Sequence, residues 1–468
     1  MTVTSTAMPT LDPADVYPII GELTAHDAWS RDLLLEQQRR RIDATIRHAV
    51  EASAYYRDVL GRSVDAGASL QELPILTKST LMGQWDRIVT DPRLRLQDVE
   101  AHLAGEGPAT LLLGEYRVCA TSGTTGERAV VVYDRAGWHQ VVANILRFVA
   151  MAGALPDSRL VGVGAPTPLH LTNRAAAELR AGRSDAPRLS VITPLPQVVA
   201  ALNAYQPELV MTYPSFIRRL VEEQEGGSLR IHPQKLSSTA EVLTPEVRAM
   251  ARRAWGADIL DSYGCTEGGL LGTECPAIAG IHVAEDLLVF EAVDEHGRAV
   301  PPGTPSGRVL LTTLFNRALP LIRYEVSDVV TMVDGPCPCS RPFARVASIV
   351  GRREEYLSLR ASGGGDLRIH AGRLRAPLAG VSGLRQFQIV PAFDRLRLVV
   401  SVRDDSRPED VVEAATATVR RALRAVGADV YVTSEVVGEI DRVGTGAKEQ
   451  LVGAAPSGEP LARAPKGA

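Results

Sequence analysis

The stretch that most limits how this chain can fold is residues 121–128, TSGTTGER, set between two strand-like apolar runs, 116–120 (YRVCA) and 129–133 (AVVVY). Thr121, Ser122, Gly123, Thr124, Thr125 and Gly126 combine two glycines with four hydroxyls. Such a loop can turn sharply and expose successive backbone N–H groups, which suits it to wrapping the oxygens of a polyphosphate. It lacks the Gly-Lys-Ser/Thr ending of a P-loop, and no Gly-x-Gly-x-x-Gly opens a helix, so neither a P-loop NTPase nor a dinucleotide fold is indicated. A polar hairpin turn has the same composition, so the rest of the chain must decide between them.

Downstream, a helix-like segment at 136–152 is followed by short apolar runs at 159–164 (RLVGVG), 188–192 (RLSVI) and 209–212 (LVMT), separated by helix-length stretches. This alternation predicts an α/β domain with parallel pairing. Between 280 and 323 the pattern changes to short strands around turn signals, DEHG at 294–297 and VPPG at 300–303, which predicts a barrel-like β section. Beyond GRREEYL at 351–357, residues 385–390, 395–402, 408–426 and 429–436 read strand, strand, helix, strand. That is a small α+β unit of ordinary domain size. The organisation expected is a flexible N-terminus (1–25), a large α/β N-terminal domain (26–352), a small mobile α+β C-terminal domain (353–452) and a disordered tail (453–468). Apolar residues at helical spacing predict one amphipathic helical stretch over 26–60, and Thr77 or Ser79 is a candidate helix cap after Pro74.

At 468 residues the chain is long enough for two cores. A net charge of -4 offers no basic excess to a nucleic-acid backbone, so no nucleic-acid partner is expected. No apolar run reaches the length that spans a bilayer, and the N-terminus has no leader pattern, which predicts a cytoplasmic protein without a membrane partner. The sequence leaves a homodimer open.

Four further stretches carry chemistry. DSYGCTEGG at 261–269 puts an aromatic, a hydroxyl and a carboxylate within five residues, Tyr263, Thr266 and Glu267, where a ring can stack on a base and a carboxylate can hold magnesium near phosphates. LIRYEVSD at 321–328 ends in Asp328, suited to ribose hydroxyls; Gly351-Arg352 marks the domain boundary; DRVGTGAK at 441–448 presents Lys448 after a glycine-rich loop. In this order the motifs TSGTTG, YGCTEGG, RYEVSD, GRREE and the terminal lysine resemble the ANL superfamily of AMP-forming adenylating enzymes, and within it the phenylacetate-CoA ligase family. AYYRDVL (54–60), LPILTKSTL (73–81), YPS (213–215), TAE (239–241), LPLIRY (319–324) and CPCSR (337–341) are supporting local similarities.

The resemblance implies an adenylate-forming acid ligase. It uses ATP and Mg2+ to activate an aromatic or related carboxylic acid, with coenzyme A as the default acyl acceptor. Transfer to a hydroxyl or amine in natural-product biosynthesis is the alternative; an idle nucleotide-binding subunit or carrier-protein partner is a third. It places the phosphates on 121–126; the adenine near Thr239, Ala240, Glu241, Tyr263 and Gly264; the phosphates and magnesium on Thr266 and Glu267; and the ribose on Asp328 and Arg352. Lys448 becomes the mobile catalytic lysine and Glu355 the hinge. Trp138, His170, Tyr213, Pro214 and Ser215 fall in the region that lines the acid pocket of such enzymes, although each of them is also an ordinary core or loop residue.

Cys275, His282, Cys337 and Cys339 form a Cys3His set suited to a closed structural zinc site, which some members of the family carry. Unconnected buried thiols are the alternative. Cys119 and Cys265 read as packing residues. Three features depart from the family pattern: Glu127-Arg128 stands where Lys-Pro is usual, Glu354-Glu355 replaces an Asp pair, and 361–373 (ASGGGDLRIHAGR) replaces an asparagine-containing loop near the thiol channel. The last makes the adenylation half better supported than transfer to coenzyme A.

Overall fold

Short apolar runs that alternate with helices can share one sheet only if each helix packs back across it. That is what the chain does. The structure is a computed structural model that describes residues 6–7, 11–105, 110–121, 128–154, 158–180, 186–442 and 448–453. Ser122, Gly123, Thr124, Thr125, Gly126 and Glu127, the loop 443–447 and the tail from 454 onward lie outside the described residues.

The chain divides into two compact units, residues 1–350 with 443–448, and 351–442 with 449–468. The first opens with α1 (Pro13–Ala25), in a stretch expected to be flexible. Asp12 caps it by accepting a 2.9 Å hydrogen bond from Ala14 N, Pro13 supplies a preset φ at the first turn, and Val16 and Leu23 are buried. The helical stretch expected over 26–60 comprises two helices, α2 (Arg31–Ala52) and α3 (Ala54–Asp65). Ser53 separates them: its extended backbone stops α2, and its Oγ accepts from Tyr56 N (3.3 Å) to cap α3. Thr77 caps the next helix, Lys78–Gly83.

β1 (Arg117–Ala120) and β2 (Val130–Tyr133) pair antiparallel around residues 121–129, and all eight of their residues are buried. α4 (Arg135–Met151) follows, capped by Asp134. Then β3 (Leu160–Gly164), α5 (Leu171–Arg180), β4 (Leu189–Ser190), α6 (Leu195–Tyr205), β5 (Leu209–Thr212), α7 (Pro214–Glu225), β6 (Lys235–Thr239), α8 (Pro245–Trp255) and β7 (Ile259–Cys265) complete the alternating section. β8 (Gly269–Glu274) and β9 (Ile281–Val283) return as hairpin strands. β10 (Leu288–Val293), β11 (Arg308–Thr313) and β12 (Tyr324–Val326) form a separate three-stranded antiparallel sheet, and β13 (Asp328–Met332) and β14 (Arg345–Arg352) rejoin the large one.

The large sheet has nine strands in the order β13-β14-β9-β8-β7-β6-β5-β3-β4. Its β4-to-β7 half is parallel, with helices covering an apolar core of Val163, Val210, Phe216, Ile217, Leu236 and Ile259; from β7 to β14 it is antiparallel. β7 is the strand where the two halves meet, and it carries Tyr263 and Gly264. Gly264 is required there, because a Cβ would sit 2.9 Å from Gly269 O on β8.

The second unit contains the hairpin β15 (Tyr356–Arg360) and β16 (Asp366–His370), α9 (Gly372–Ala379), β17 (Leu384–Pro391), β18 (Arg395–Val402), α10 (Pro408–Ala425) and β19 (Tyr431–Val437). β17 pairs antiparallel and β19 parallel with β18, which buries Leu396, Leu398 and Val400 at alternate positions. Against these lies the stripe Val411, Ala415, Val419 and Leu423 of α10, spaced by four. The divergent 361–373 stretch becomes the turn and second strand of the β15–β16 hairpin, closed by Ala361 N donating to Gly365 O at 3.0 Å.

Candidate active site

The neck of the phosphate-loop candidate is a closed pair. Thr121 N donates to Ala129 O, and Ala129 N donates to Thr121 Oγ1, each at 2.9 Å. Residues 122–127, which would hold phosphates, are outside the described residues.

Motifs far apart in sequence meet at β6 and β7. Thr239 pairs in register with Ser262, one residue before Tyr263. Ala240 then holds a left-handed φ of 73°, unusual for alanine, and Glu241 Oε2 accepts from Ser215 N (3.1 Å) at the start of α7. Tyr263, 65 residues before Asp328, donates its hydroxyl to Asp328 Oδ2 at 2.6 Å, and its ring meets Phe290 edge-on at 6.1 Å. The base-stacking and ribose candidates are therefore one hydrogen-bonded pair.

Between β7 and β8 the turn carrying Thr266 and Glu267 is tied down. Tyr133 on β2 donates to Thr266 O (2.5 Å), Gly268 N donates to Cys265 Sγ (3.3 Å), and Tyr324 on β12 donates to Glu267 Oε1 (2.9 Å). Burial pushes the Tyr133 phenol well above its ordinary pKa, so it stays a donor. Burial also holds the Cys119 thiol up, at about 11, and raises that of Cys265, in keeping with packing rather than nucleophilic roles.

On β7, Asp261 is a carboxyl that burial lifts to about 7, although Ser238 Oγ donates to it at 2.5 Å. Lys448 is half-buried and groups with the first unit. Burial, followed by the charge of Lys448, depresses His170 to about 4, and His170 Nδ1 lies 2.9 Å from Thr172 Oγ1. A neutral imidazole at this position can orient a polar group but carries no charge.

In the second unit, Glu355 Oε2 accepts from Arg352 N (3.4 Å) and from Arg375 Nη2 (3.5 Å), with His370 Nε2 at 3.9 Å. His370 Nδ1 accepts from Gly372 N (3.0 Å), which leaves Nε2–H to donate to Arg352 O (2.9 Å). Gly351 has φ 137°, and a Cβ there would lie 2.2 Å from Glu355 Oε2.

Cys275, His282, Cys337 and Cys339 place their ligand atoms within 4.8 Å of one another. Cys275 Sγ lies 3.7 Å from Cys337 Sγ, and Cys339 Sγ lies 3.4 Å from His282 Nε2. The edges of a zinc tetrahedron are about 3.8 Å between sulfurs and about 3.6 Å between sulfur and nitrogen, so the set fits that ion. Arg345 stitches the two ligand loops together, donating to Ala279 O on one side and to Gly335 O (3.0 Å) and Pro336 O (2.9 Å) on the other. Burial lowers His282 to about 4, aided by Arg341 and Arg345, and so favours the neutral imidazole a metal requires. His282 Nδ1 has no hydrogen-bond partner among the described residues.

A model of the family described as AMP-binding enzyme matches residues 116–313. Phenylacetate-coenzyme A ligase from Aromatoleum evansii is 27% identical over 368 residues, covering 73% of this chain and 76% of its own. The same-named protein of Escherichia coli (strain K12) is 29% identical over 352 residues, covering 71% and 74%. The chain resembles the adenylate-forming enzymes of the ANL superfamily and is phenylacetate-CoA ligase-like. The fold agrees: a crystal structure of 2-hydroxyisobutyryl-CoA ligase superposes with a TM-score of 0.71 at 19% identity, covering 96% of this chain and 91% of that one.

Of the acid-pocket candidates, Trp138 is fully buried, and its Nε1–H donates to Glu178 Oε2 at 2.7 Å. Tyr213 is equally buried, and Pro214 begins α7, where its missing N–H costs nothing. Ser215 contributes its backbone N–H to Glu241. Glu178, Tyr133 and Tyr324 escaped sequence reasoning: their partners lie 40, 133 and 57 residues away, and no local spacing signals such pairs. No described helix is long and apolar enough to cross a membrane.

Proposed function

We propose that the enzyme is an ATP- and magnesium-dependent ligase that converts an aromatic or related carboxylic acid into its acyl-adenylate and passes the acyl group to coenzyme A. The observation that carries this reading is the meeting of Thr239–Glu241, the Tyr263–Glu267 turn and Asp328 around the end of β7, three motifs distant in sequence. The relatives named phenylacetate-coenzyme A ligase support both the aromatic acid and the thiol acceptor.

The chemistry asks little of proton transfer. A carboxylic acid is ionised at neutral pH, so its oxygen attacks the α-phosphorus of ATP without a general base, and pyrophosphate leaves. The work lies in positioning and in stabilising charge on the phosphate oxygens. In this reading residues 121–126 grip the β- and γ-phosphates, Thr239–Glu241, Tyr263 and Gly264 border the adenine, and Asp328 and Arg352 take the ribose. Thr266 and Glu267 hold the metal–phosphate group, and Lys448 neutralises developing charge. A magnesium ion held by Glu267 would supply positive charge against the phosphates. His170 is the pocket residue best suited to orient the acid. Glu355 is the hinge between half-reactions. The Cys3His set holds a structural zinc that pins the loop of Cys337 to β9 and takes no part in the reaction.

The test is pyrophosphate release with a panel of aryl and alkyl acids, with and without coenzyme A. Release with an aryl acid, together with thioester formation, is expected. Turnover accelerated only by amines or alcohols refutes the thiol acceptor, and no release with any acid refutes the ligase reading. Lys448→Ala should slow acyl-adenylate formation by about a hundredfold or more, in the range of losing one charge-stabilising donor.

A further inference from the structure

Glu267 is 6% exposed, and Tyr324, which donates to its Oε1, is 1% exposed. The other carboxylate oxygen, Oε2, takes no hydrogen bond from any described residue. Of the three ties on this turn, Tyr133 and Cys265 engage backbone atoms, and Tyr324 alone among the described residues engages the carboxylate.

Tyr324 is itself presented by an over-determined segment. Arg323 before it holds a left-handed φ of 49°, a conformation that a non-glycine residue keeps only where its surroundings enforce it. The enforcement is visible. The buried guanidinium pairs with Glu291 (3.2 Å) and donates to the carbonyls of Gln71 and Leu73 (2.6 Å each) and of Gly297 (3.2 Å). On the backbone, Leu76 N donates to Arg323 O (3.1 Å) and Glu325 N donates to Leu76 O (2.9 Å). The backbone that presents the phenol is thus held on both sides, while Glu267 sits on a short turn whose carboxylate has this one tie among the described residues.

We propose that Tyr324 is a positioning residue for adenylation: its hydroxyl locks Glu267 through Oε1, leaving Oε2 to the metal–nucleotide complex. This rests on Glu267 being the metal and phosphate ligand. A metal ligand held by a hydrogen bond to its second atom binds more tightly than one that must be ordered on binding. The strain at Arg323 serves to aim Tyr324.

The test reads binding rather than turnover. Mn2+ is titrated into the full chain with α,β-methylene-ATP, and bound metal is followed by loss of the free Mn2+ EPR signal. Tyr324→Phe, which keeps the ring and its packing, should weaken Mn2+ binding by about tenfold, the size expected for one hydrogen bond to a charged group. Glu267→Gln should weaken it further. Adding Tyr324→Phe to Glu267→Gln should then change binding less than twofold, because the carboxylate it positions is gone. If Tyr324→Phe binds Mn2+ as wild type does while Glu267→Gln does not, the positioning role is overturned and the ligand assignment stands. If neither variant changes binding, the Glu267 assignment falls and the inference falls with it. If the full Tyr324→Phe loss persists in the Glu267→Gln background, the tyrosine is only structural, which also overturns the proposal.

Discussion

Removing the Glu178 carboxylate should cost the first unit more than any single core methyl deletion. Glu178 on α5 and Arg117 on β1 have side chains 2% and 3% exposed, and Arg117 Nε and Nη2 lie 3.3 and 3.4 Å from the carboxylate oxygens. The strongest contact is the 2.7 Å hydrogen bond from Trp138 Nε1, and the Arg117 guanidinium also lies 5.8 Å from the Trp138 ring centre. Glu178→Ala leaves a buried cation without its counter-charge, a loss of about 3–5 kcal/mol. It also orphans an indole N–H, worth about 1–3 kcal/mol, though the two overlap and do not sum. The assay is urea unfolding followed by tryptophan fluorescence, because Trp29, Trp85, Trp138 and Trp255 all lie in the first unit. With a urea slope of about 3 kcal/mol/M, the midpoint should fall by roughly 1 M. Arg117→Met with Glu178→Leu should recover most of that, since an apolar pair escapes the desolvation that the ion pair suffers. A fall below about 0.3 M for Glu178→Ala, on that same slope, would refute the claim that this buried carboxylate holds β1 against α4 and α5.

Three other outcomes are expected. Metal analysis of purified protein should find one zinc per chain, and Cys337→Ser should abolish it; full activity in zinc-free protein would refute the structural role. Asp261 has a folded pKa raised to about 7, so the folded state binds the extra proton and stability falls as pH rises from about 4 to 7. Asp261→Asn should therefore gain on wild type between pH 5 and pH 8, by at most about 2.7 kcal/mol and less in practice because Asp261 is only half-buried; urea midpoints at the two pH values check the sign. Gly351→Ala should destabilise the second unit by about 2 kcal/mol or more, through its φ of 137° and the clash with Glu355 Oε2, as measured by thermal unfolding; an unchanged transition would show that the Gly351 turn relaxes freely.

Much of this molecule is legible in its sequence, because the signals involved are local. The hydroxyl–glycine composition of 121–126, the alternation of β3 to β7 with helices, and the strand–strand–helix–strand order of the second unit follow from turn chemistry and periodicity alone. So does the metal set, where four ligand types announce themselves wherever they fall. The order of the motifs carries the resemblance to the superfamily by itself. Residues 13–25 misled because a proline at the first turn and an aspartate cap look like loop chemistry when read without the apolar pair Val16 and Leu23 that they serve.

Tertiary structure decided the rest, and the reason is the same in each case: burial and long-range hydrogen bonding are properties of pairs that the chain brings together only on folding. Trp138 is a pocket candidate by position, and its burial and its bond to Glu178, 40 residues on, belong to the folded chain. Tyr263 and Asp328 read as two separate ligands and turn out to be one clasp across 65 residues. Glu267 is a candidate phosphate-site carboxylate by its motif, but its hydrogen-bond partner, the Tyr324 phenol on the three-stranded sheet, is visible only where β12 lies beside the β7–β8 turn.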